Sequence, residues 1–283
     1  MQRKIVFCVI RIINNTTTVD NYFNYKEKKI FYRVKGKGPC LVLLHGFLEN
    51  QNIWNYFAEQ MSVNMKVVTL DLPGHGQSEN ISEVHSMELM AEIVKELLDR
   101  LQIDKSVVIG HSMGGYVSLA FAEKYPNATQ GFGVFHSHAL ADTTEAKINR
   151  GRAIQVVKEN HKDFISSFIP DLFTLRNQEI YADEIKQLQN ESRQMEKEGI
   201  IAALSGMRQR TDKLKLLKNA EVPVLFIIGK KDPRTPLDVM NEQISIAQHS
   251  EVLILDQVAH MGYIEAREQC LGFIHDFSKR CFK

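Results

Sequence analysis

The chain has 283 residues, of which 44% are hydrophobic and 24% are charged, values that are typical of a globular protein and exclude a disordered or fibrous one. Its 35 basic and 34 acidic residues nearly cancel and form no long run of one sign. The charge therefore offers no electrostatic footprint for nucleic acid, and we expect the partner to be a small molecule.

The first twenty residues are interpreted as a dispensable N-terminal extension. Arg3 and Lys4 precede an apolar run at residues 5–10, which imitates the start of a secretory signal. The run ends at Arg11, and no small-residue cleavage site follows it. No apolar stretch of the sequence is long enough to span a bilayer as a helix, so we expect no membrane span.

The four cysteines, Cys8, Cys40, Cys270 and Cys281, have neither C-x-x-C spacing nor interleaved histidines. The sequence therefore predicts no zinc site and no disulfide framework. A reducing compartment is the simpler interpretation, and we expect a cytoplasmic protein. Nothing suggests a metal ion or an organic cofactor, and the sequence leaves the oligomeric state open.

From residue 30 onward, short apolar runs alternate with longer amphipathic ones. An alternating pattern at residues 30–34 predicts a strand, and four nearly uninterrupted apolar runs are typical of strands buried on both faces of a parallel sheet. These runs lie at residues 40–44, 66–70, 106–109 and 224–228. Apolar residues at helical spacing over 87–101, after Ser86 as a plausible N-cap, predict a helix. This order predicts an α/β fold with helices on both faces of a mostly parallel sheet.

The alternation stops after a strand candidate at residues 131–135. Residues 137–219 contain helical runs at 144–160 and 178–199, no convincing strand, and apolar residues clustered around Pro170. A helical pair can simply pack its apolar stripe on the domain below, or it can roof a pocket as a cap, and the two interpretations do not exclude each other. We expect a core at residues 21–136 and 220–283, with residues 137–219 as a helical cap.

A candidate nucleophile directly follows the apolar run at 106–109, in the sequence Gly110-His111-Ser112-Met113-Gly114. A convincing helix start comes next. In a tight strand-to-helix turn the nucleophile adopts a strained backbone conformation, and the two glycines remove side chains that would collide with the neighbouring strand and helix. The sequence therefore predicts that Ser112 is presented above the sheet.

A serine hydroxyl needs a neighbouring base, normally an imidazole that a carboxylate orients, and hydrolases with this turn place the acid and then the histidine after the serine. Asp232 directly follows the strand predicted at 224–228 and is the predicted acid. An aspartate before a proline is also typical of a turn, and Asp256 is the reserve candidate. His260 is the predicted base, because it is the histidine beyond Asp232 that follows a strand and precedes a helix.

The negative charge that develops on an acyl oxygen needs hydrogen-bond donors. The backbone N–H of Met113 is predicted to supply one, and the N–H of Phe47, in the loop after the strand at 40–44, the other. Candidates for contact with the substrate are His45 in the same loop and Phe164 and Phe168 in the predicted cap.

Taken together, these motifs resemble the α/β-hydrolase superfamily over roughly residues 28–280. The matching segments are 45–47, 70–78, 110–115, 229–233 and 259–261. The chain most resembles capped, cofactor-free members related to carboxylesterases, enol-lactonases and carbon–carbon bond hydrolases. Haloalkane dehalogenases and epoxide hydrolases share the fold but carry Asp at the nucleophile position, so Ser112 argues against both. The resemblance implies the same triad, the same two oxyanion donors and a helical cap inserted after the sixth strand.

The expected activity is hydrolysis of a small carboxylic ester or lactone through an acyl-enzyme on Ser112. Two alternatives stay open. A carbon–carbon bond hydrolase acting on a vinylogous diketone would keep the same triad, and activity on such diketones with little on simple esters would favour it. A ligand receptor can also retain this fold, and binding without turnover would favour that interpretation.

Overall fold

The computed structural model describes residues 19–283, in which eight strands form one sheet. The strands are β1 (Val19–Tyr25), β2 (Lys28–Lys35), β3 (Cys40–Leu44), β4 (Lys66–Leu70), β5 (Ser106–His111), β6 (Thr129–Phe135), β7 (Val224–Gly229) and β8 (Ser250–Leu255). Of the predicted extension at residues 1–20, residues 19 and 20 open β1 and the others lie outside the described residues.

The strand order across the sheet is β1-β2-β4-β3-β5-β6-β7-β8. β2 pairs antiparallel with β1 and with β4, whereas all the other neighbours pair in parallel. The predicted mostly parallel sheet is therefore confirmed. Parallel strands end at the same edge, and the pairing of Leu44 with Gly110 shows that the loops after β3 and β5 leave the sheet side by side.

Helices cover both faces of this sheet, as the sequence predicts. Every residue of β3, β5 and β7 is buried, and because successive side chains of a strand point to opposite faces, complete burial requires cover on both. The helices of the core are α1 (Asn55–Met61), α2 (Met87–Arg100), α3 (Met113–Lys124), α9 (Leu237–Ile246), α10 (Gly262–Glu265) and α11 (Arg267–Cys281). Within the described residues, no helix combines the length and the apolar character that crossing a membrane requires.

Helix α2 shows how local sequence defines an element of the core. The side chain of Ser86 accepts a hydrogen bond from the N–H of Leu89, which satisfies one of the free donors at the helix start. Glu88 in the first turn and Arg100 in the last complement the helix dipole. The apolar positions of the predicted stripe are buried apart from Leu101, which is partly buried and lies just past the helix end, so the helix predicted at 87–101 is confirmed almost to the residue.

Five further helices are inserted after β6, which confirms the helical insertion after the sixth strand. They are α4 (Thr144–Phe168), α5 (Leu175–Ile180), α6 (Ala182–Ser192), α7 (Lys197–Gln209) and α8 (Leu214–Asn219). The run predicted to end at residue 160 continues to Phe168, and the run predicted at 178–199 is divided among α5, α6 and α7. Helix α4 is interrupted at Asn160 (φ −153°, ψ 88°), whose side-chain oxygen accepts the N–H of Asp163 and so caps the second half.

Buried histidines make the stability of this fold sensitive to acid. Burial lowers the pKa of five of them to about 3 or about 4. They are His45, His75, His85, His136 and His138. In the unfolded chain the same rings titrate near 6.5, so below that pH the unfolded state binds protons that the folded state excludes. Three groups with raised pKa values oppose this trend, because the folded state binds a proton that the unfolded state releases; they are Asp71, whose pKa burial raises to about 6, Glu265 and His111. The five histidines outnumber them.

We therefore expect the free energy of unfolding to fall as the pH is lowered from about 6.5 to about 4. The measurement is urea unfolding, followed by circular dichroism, at several pH values in this range. The urea midpoint should decrease at each step without a change in the denaturant slope. A midpoint that stays constant down to about pH 5 would contradict neutral, buried histidines.

Candidate active site

Ser112 occupies the turn between β5 and α3 in a strained backbone conformation, with φ 49° and ψ −114°. Its N–H donates to the carbonyl of Phe135 at 2.8 Å, which holds the turn against β6. The turn needs glycine on both sides: a Cβ on Gly110 would lie 1.9 Å from the carbonyl oxygen of Gly114, and one on Gly114 would lie 2.6 Å from the carbonyl oxygen of Leu44. The turn has the strand-to-helix placement that presents a nucleophile at the edge of the sheet.

The three residues of the predicted triad are joined by hydrogen-bonding distances in the order Ser112, His260, Asp232. His260 Nε2 is 2.9 Å from Ser112 Oγ, and His260 Nδ1 is 2.7 Å from Asp232 Oδ2. Burial lowers the pKa of His260, although Asp232 opposes this, so the ring is a neutral base at neutral pH. Burial alone would raise the pKa of Asp232, but the contacts with His260 and His136 hold it well below its usual range.

The carboxylate of Asp232 is fixed by the loop that follows it. Its Oδ1 accepts the backbone N–H of Arg234 at 2.9 Å, and its Oδ2 accepts the hydroxyl of Thr235 at 2.7 Å. The reserve candidate, Asp256, instead forms an ion pair with Lys230 and leaves 71% of its side chain exposed. Of the two aspartates, Asp232 is the one that contacts the imidazole.

The two predicted oxyanion donors lie on different elements of the fold. Met113 is the first residue of α3, and Phe47 lies in the loop after β3 and lines the cavity above Ser112. Within residues 19–283, neither backbone N–H donates to a carbonyl or to a side chain. Both groups are thus available to an oxygen in the cavity, and their role as an oxyanion hole stays a prediction.

A buried network behind Ser112 was not predicted from the sequence. The carboxylate of Glu49 accepts the N–H of Gly46, contacts His111 Nδ1 at 2.9 Å and accepts the hydroxyl of Tyr263 at 3.1 Å. His111 Nε2 donates to the carbonyl of His260 at 2.8 Å. Burial alone would lower the pKa of His111, but Glu49 raises it above its usual value. The network ties the loop after β3, the nucleophile turn and the His260 loop together.

A cavity of about 240 Å³ lies above Ser112 between the core and the insertion. The insertion contributes Ala146, Arg150, Phe168, Leu172 and Met207 to its wall. Phe168 therefore lies where the sequence predicts substrate contact, whereas Phe164 stacks on Phe168 and is not part of this wall. His45 is buried beside the cavity, where its Nε2 accepts the N–H of Leu72 at 2.9 Å and holds its loop. Substrate contact by all three residues stays a prediction.

Several side chains of the cavity had no recognisable signal in the sequence. Arg234 and Thr235 follow the predicted acid, but only their contacts with Asp232 distinguish them from ordinary loop residues. Arg150 lies in an amphipathic helix where charged residues are normally solvent-exposed.

One cluster in the described part of the chain has the composition of a metal site. The ligand atoms of His136, Asp232 and His260 lie within 4.8 Å of one another. Asp232 Oδ2 and His260 Nδ1 are already joined by a hydrogen bond of 2.7 Å, and His136 Nδ1 lies 3.5 Å from the same oxygen. One hydrogen bond therefore joins two of the three side chains, and His136 lies at ion-pair distance from the same carboxylate.

Comparison with known proteins assigns the chain to a family. Residues 39–267 match the family model of the α/β hydrolase fold, so the chain belongs to this family. Among solved structures, it is similar to a thermophilic esterase from Thermogutta terrifontis, with 27% identity and a TM-score of 0.87, over 94% of this chain and 100% of the other. The resemblance seen in the sequence is therefore confirmed at the level of the family.

Curated proteins that are similar to this chain have names that describe different activities. The chain is 30% identical to the dihydrolipoyllysine-residue acetyltransferase component of the acetoin cleaving system of Pseudomonas putida, over 82% of this chain but only 61% of that relative's length. It is 26% identical to the 2-hydroxy-6-oxononadienedioate/2-hydroxy-6-oxononatrienedioate hydrolase of Paraburkholderia phymatum, over 89% of this chain and 91% of the relative.

Proposed function

We propose that this protein is a serine hydrolase that cleaves small carboxylic esters or lactones through an acyl-enzyme on Ser112. The observation that carries the proposal is the pair of hydrogen bonds, 2.9 Å from Ser112 to His260 and 2.7 Å from His260 to Asp232, at the floor of a cavity. The similarity to the esterase of Thermogutta terrifontis supports the same reaction class. Residues 137–219 act as a cap that closes the cavity over Ser112.

The reaction proceeds in two halves. His260 Nε2 takes the proton of Ser112 as Oγ attacks the carbonyl carbon, and the resulting oxyanion accepts hydrogen bonds from the N–H groups of Phe47 and Met113. The C–O bond then breaks, and the alcohol leaves with the proton from His260. A water molecule that gives its proton to His260 attacks the acyl carbon, which releases the acid and restores Ser112. One oxyanion donor is typically worth about 3 kcal/mol in the transition state.

The size of the cavity favours a small substrate. Its volume of about 240 Å³ is below the range of roughly 300–1,000 Å³ that is usual for drug-sized ligands. The wall combines the aromatic ring of Phe168 with several charged and polar side chains. A short acyl chain with a small alcohol fits this space better than a long lipid chain.

A fluorophosphonate probe tests the proposal, because it reacts with serines that a neighbouring base activates. We expect a single covalent adduct, assigned to Ser112 by mass spectrometry of peptides from the labelled protein. Unfolding the protein in urea before labelling should prevent the reaction, because the unfolded chain no longer holds His260 beside Ser112. Absence of an adduct on the folded protein, or an adduct on another serine, would contradict the proposed nucleophile.

Carbon–carbon bond hydrolysis is the second candidate, and the similarity to the Paraburkholderia phymatum hydrolase is the observation that favours it. Both reactions use an activated serine, so labelling does not separate them. Parallel assays with short-chain esters and with a vinylogous diketone do. Faster turnover of the esters supports the proposed esterase, whereas turnover of the diketone with little ester hydrolysis supports the second candidate.

A further inference from the structure

Two arginines, Arg150 and Arg234, line the cavity together with the carboxylates of Glu49 and Asp142, of which Glu49 is paired with His111. A third arginine, Arg210, lies outside this wall and contacts Asp142. Arg150, from the insertion, and Arg210 both donate to the carboxylate of Asp142. One carboxylate thus serves two guanidinium groups, and the three residues together keep one positive charge. Arg210 is 5% exposed, and its Nε and Nη2 atoms have no hydrogen-bond partner among the described residues. Because Arg210 is buried, water does little to screen this positive charge.

Arg234 adds a second positive charge to the same cavity. Its guanidinium donates to the backbone carbonyl of Asp171 at 3.3 Å and lies over the ring of Phe168 at 4.9 Å. No carboxylate within the described range reaches ion-pair distance from it. Burial lowers the pKa of Arg234, the charge of Arg150 acts in the same direction, and the carboxylates of Asp232 and Asp171 offset this only in part. An arginine nevertheless stays protonated, so this half-buried charge lacks a partner of opposite sign.

The position of Arg234 connects this charge to the catalytic chemistry. Its own N–H holds Asp232, and Thr235, the next residue, bonds to the other oxygen of that carboxylate. Burial lowers the pKa of His260, and Asp232 opposes this effect. The charges of His111 and Arg234 lower the pKa further. An anion bound to the guanidinium would therefore occupy the same cavity as the carbonyl group that Ser112 attacks.

We propose that Arg234, with the positively charged group around Arg150, forms a carboxylate-binding subsite, and that the preferred substrates are esters or lactones that carry a free carboxylate. Half-esters of short dicarboxylic acids belong to this class. A guanidinium and a carboxylate form paired, charge-assisted hydrogen bonds, and a water-poor cavity strengthens them. The substrate class rests on the hydrolase function proposed for Ser112, but the subsite itself does not.

The contacts of Arg234 also allow a purely structural role. By bonding to Asp171 and stacking on Phe168, the side chain joins the loop after β7 to the insertion. A structural link of this kind would affect every substrate alike, because it would position the wall of the cavity. A carboxylate-binding residue instead discriminates between substrates that differ only in charge.

The first test measures binding and needs no turnover. Glutarate is titrated into the purified protein, into Arg234→Gln and into Arg152→Gln, with heat as the signal. Arg152 lies on the exposed face of α4, so its substitution removes the same charge away from the cavity. We expect Arg234→Gln to weaken glutarate binding by about tenfold to a hundredfold and Arg152→Gln to leave it unchanged. Equal affinities in all three proteins, or no binding by any of them, would overturn the proposal.

The second test compares two esters of equal length, monomethyl glutarate and methyl pentanoate, which differ only in the terminal carboxylate. The unsubstituted protein should prefer the anionic ester by at least about tenfold in kcat/KM, and Arg234→Gln should lose this preference through KM. An equal decrease for both esters would show a structural link instead. If glutarate binding depends on Arg234 while neither ester is cleaved, the subsite stands and the proposed ester hydrolysis fails.

Discussion

Ser112→Ala is expected to abolish ester hydrolysis, lowering kcat/KM by about 10⁴-fold to 10⁶-fold, with little change in stability. The substitution removes Ser112 Oγ, which lies 2.9 Å from His260 Nε2, and leaves the Cβ and the backbone of the turn in place. Without Oγ, the reaction can use only the oxyanion donors and binding in the cavity. Steady-state kinetics with a short-chain ester and urea unfolding of the same preparation measure both effects.

Ser118→Ala is the matched control, because it removes the hydroxyl oxygen from a buried serine of α3, the helix that begins directly after Ser112. The hydroxyl of Ser118 donates to the carbonyl of Val108 at 2.7 Å and does not face the cavity. We expect the opposite result: a nearly unchanged rate and a loss of about 1 kcal/mol in the free energy of unfolding. Unchanged hydrolysis by homogeneous Ser112→Ala protein would show that Ser112 is not the nucleophile.

Asp232→Asn is expected to lower kcat by about 10³-fold to 10⁴-fold without disrupting the fold. The amide has the same shape, but its nitrogen can donate to His260 Nδ1. This favours the imidazole tautomer that carries the proton on Nε2, and that tautomer cannot accept the proton of Ser112. In the unsubstituted protein, the N–H of Arg234 and the hydroxyl of Thr235 donate to different oxygens of Asp232. The amide of the variant offers them a single oxygen.

Asp256→Asn provides the comparison, since Asp256 also follows a strand and was the other candidate for the acid. Its carboxylate is exposed and pairs with Lys230, a contact that water and salt screen. Its kcat should stay within about twofold of that of the unsubstituted protein. A severe defect in Asp256→Asn combined with a nearly normal rate in Asp232→Asn would assign the orienting acid to Asp256.

The central strands were predictable because strands that are buried on both faces consist almost entirely of apolar residues. The apolar runs at residues 40–44 and 224–228 correspond to β3 and β7, which are buried on both faces. Strand β1 gave no such signal, because its sequence, VDNYFNY, mixes aromatic and polar residues. It pairs on only one side, with β2, so its residues need not be uniformly apolar.

The helices of the insertion were predictable in kind but not in number. Their amphipathic patterns run on from one helix to the next, and the breaks depend on caps that are weak signals in a sequence. Thr174, for example, caps α5 through the N–H of Asn177, and α6 begins at Ala182 without a side-chain cap. Capping residues of this kind also occur commonly in loops.

The proximity of the triad residues followed from a rule about sheets, whereas the surrounding contacts did not. Ser112, Asp232 and His260 each follow a predicted strand within a few residues, and the ends of parallel strands share one edge. Glu49 and His111 are 62 residues apart, and nothing in either local sequence indicates that they pair. Arg234 is similar, because its role depends on side chains that the insertion brings to it.

The interruption of α4 at Asn160 divides the cap wall into two parts that can vary separately. Arg150 lies before the interruption and Phe168 after it, and Asn160 provides the second part with a helix start of its own. A residue gained or lost at this joint would rotate and shift the aromatic part and leave the charged part where it is. Over evolutionary time, the reach of the cavity could thus be lengthened or shortened while Arg150 keeps its ion pair with Asp142.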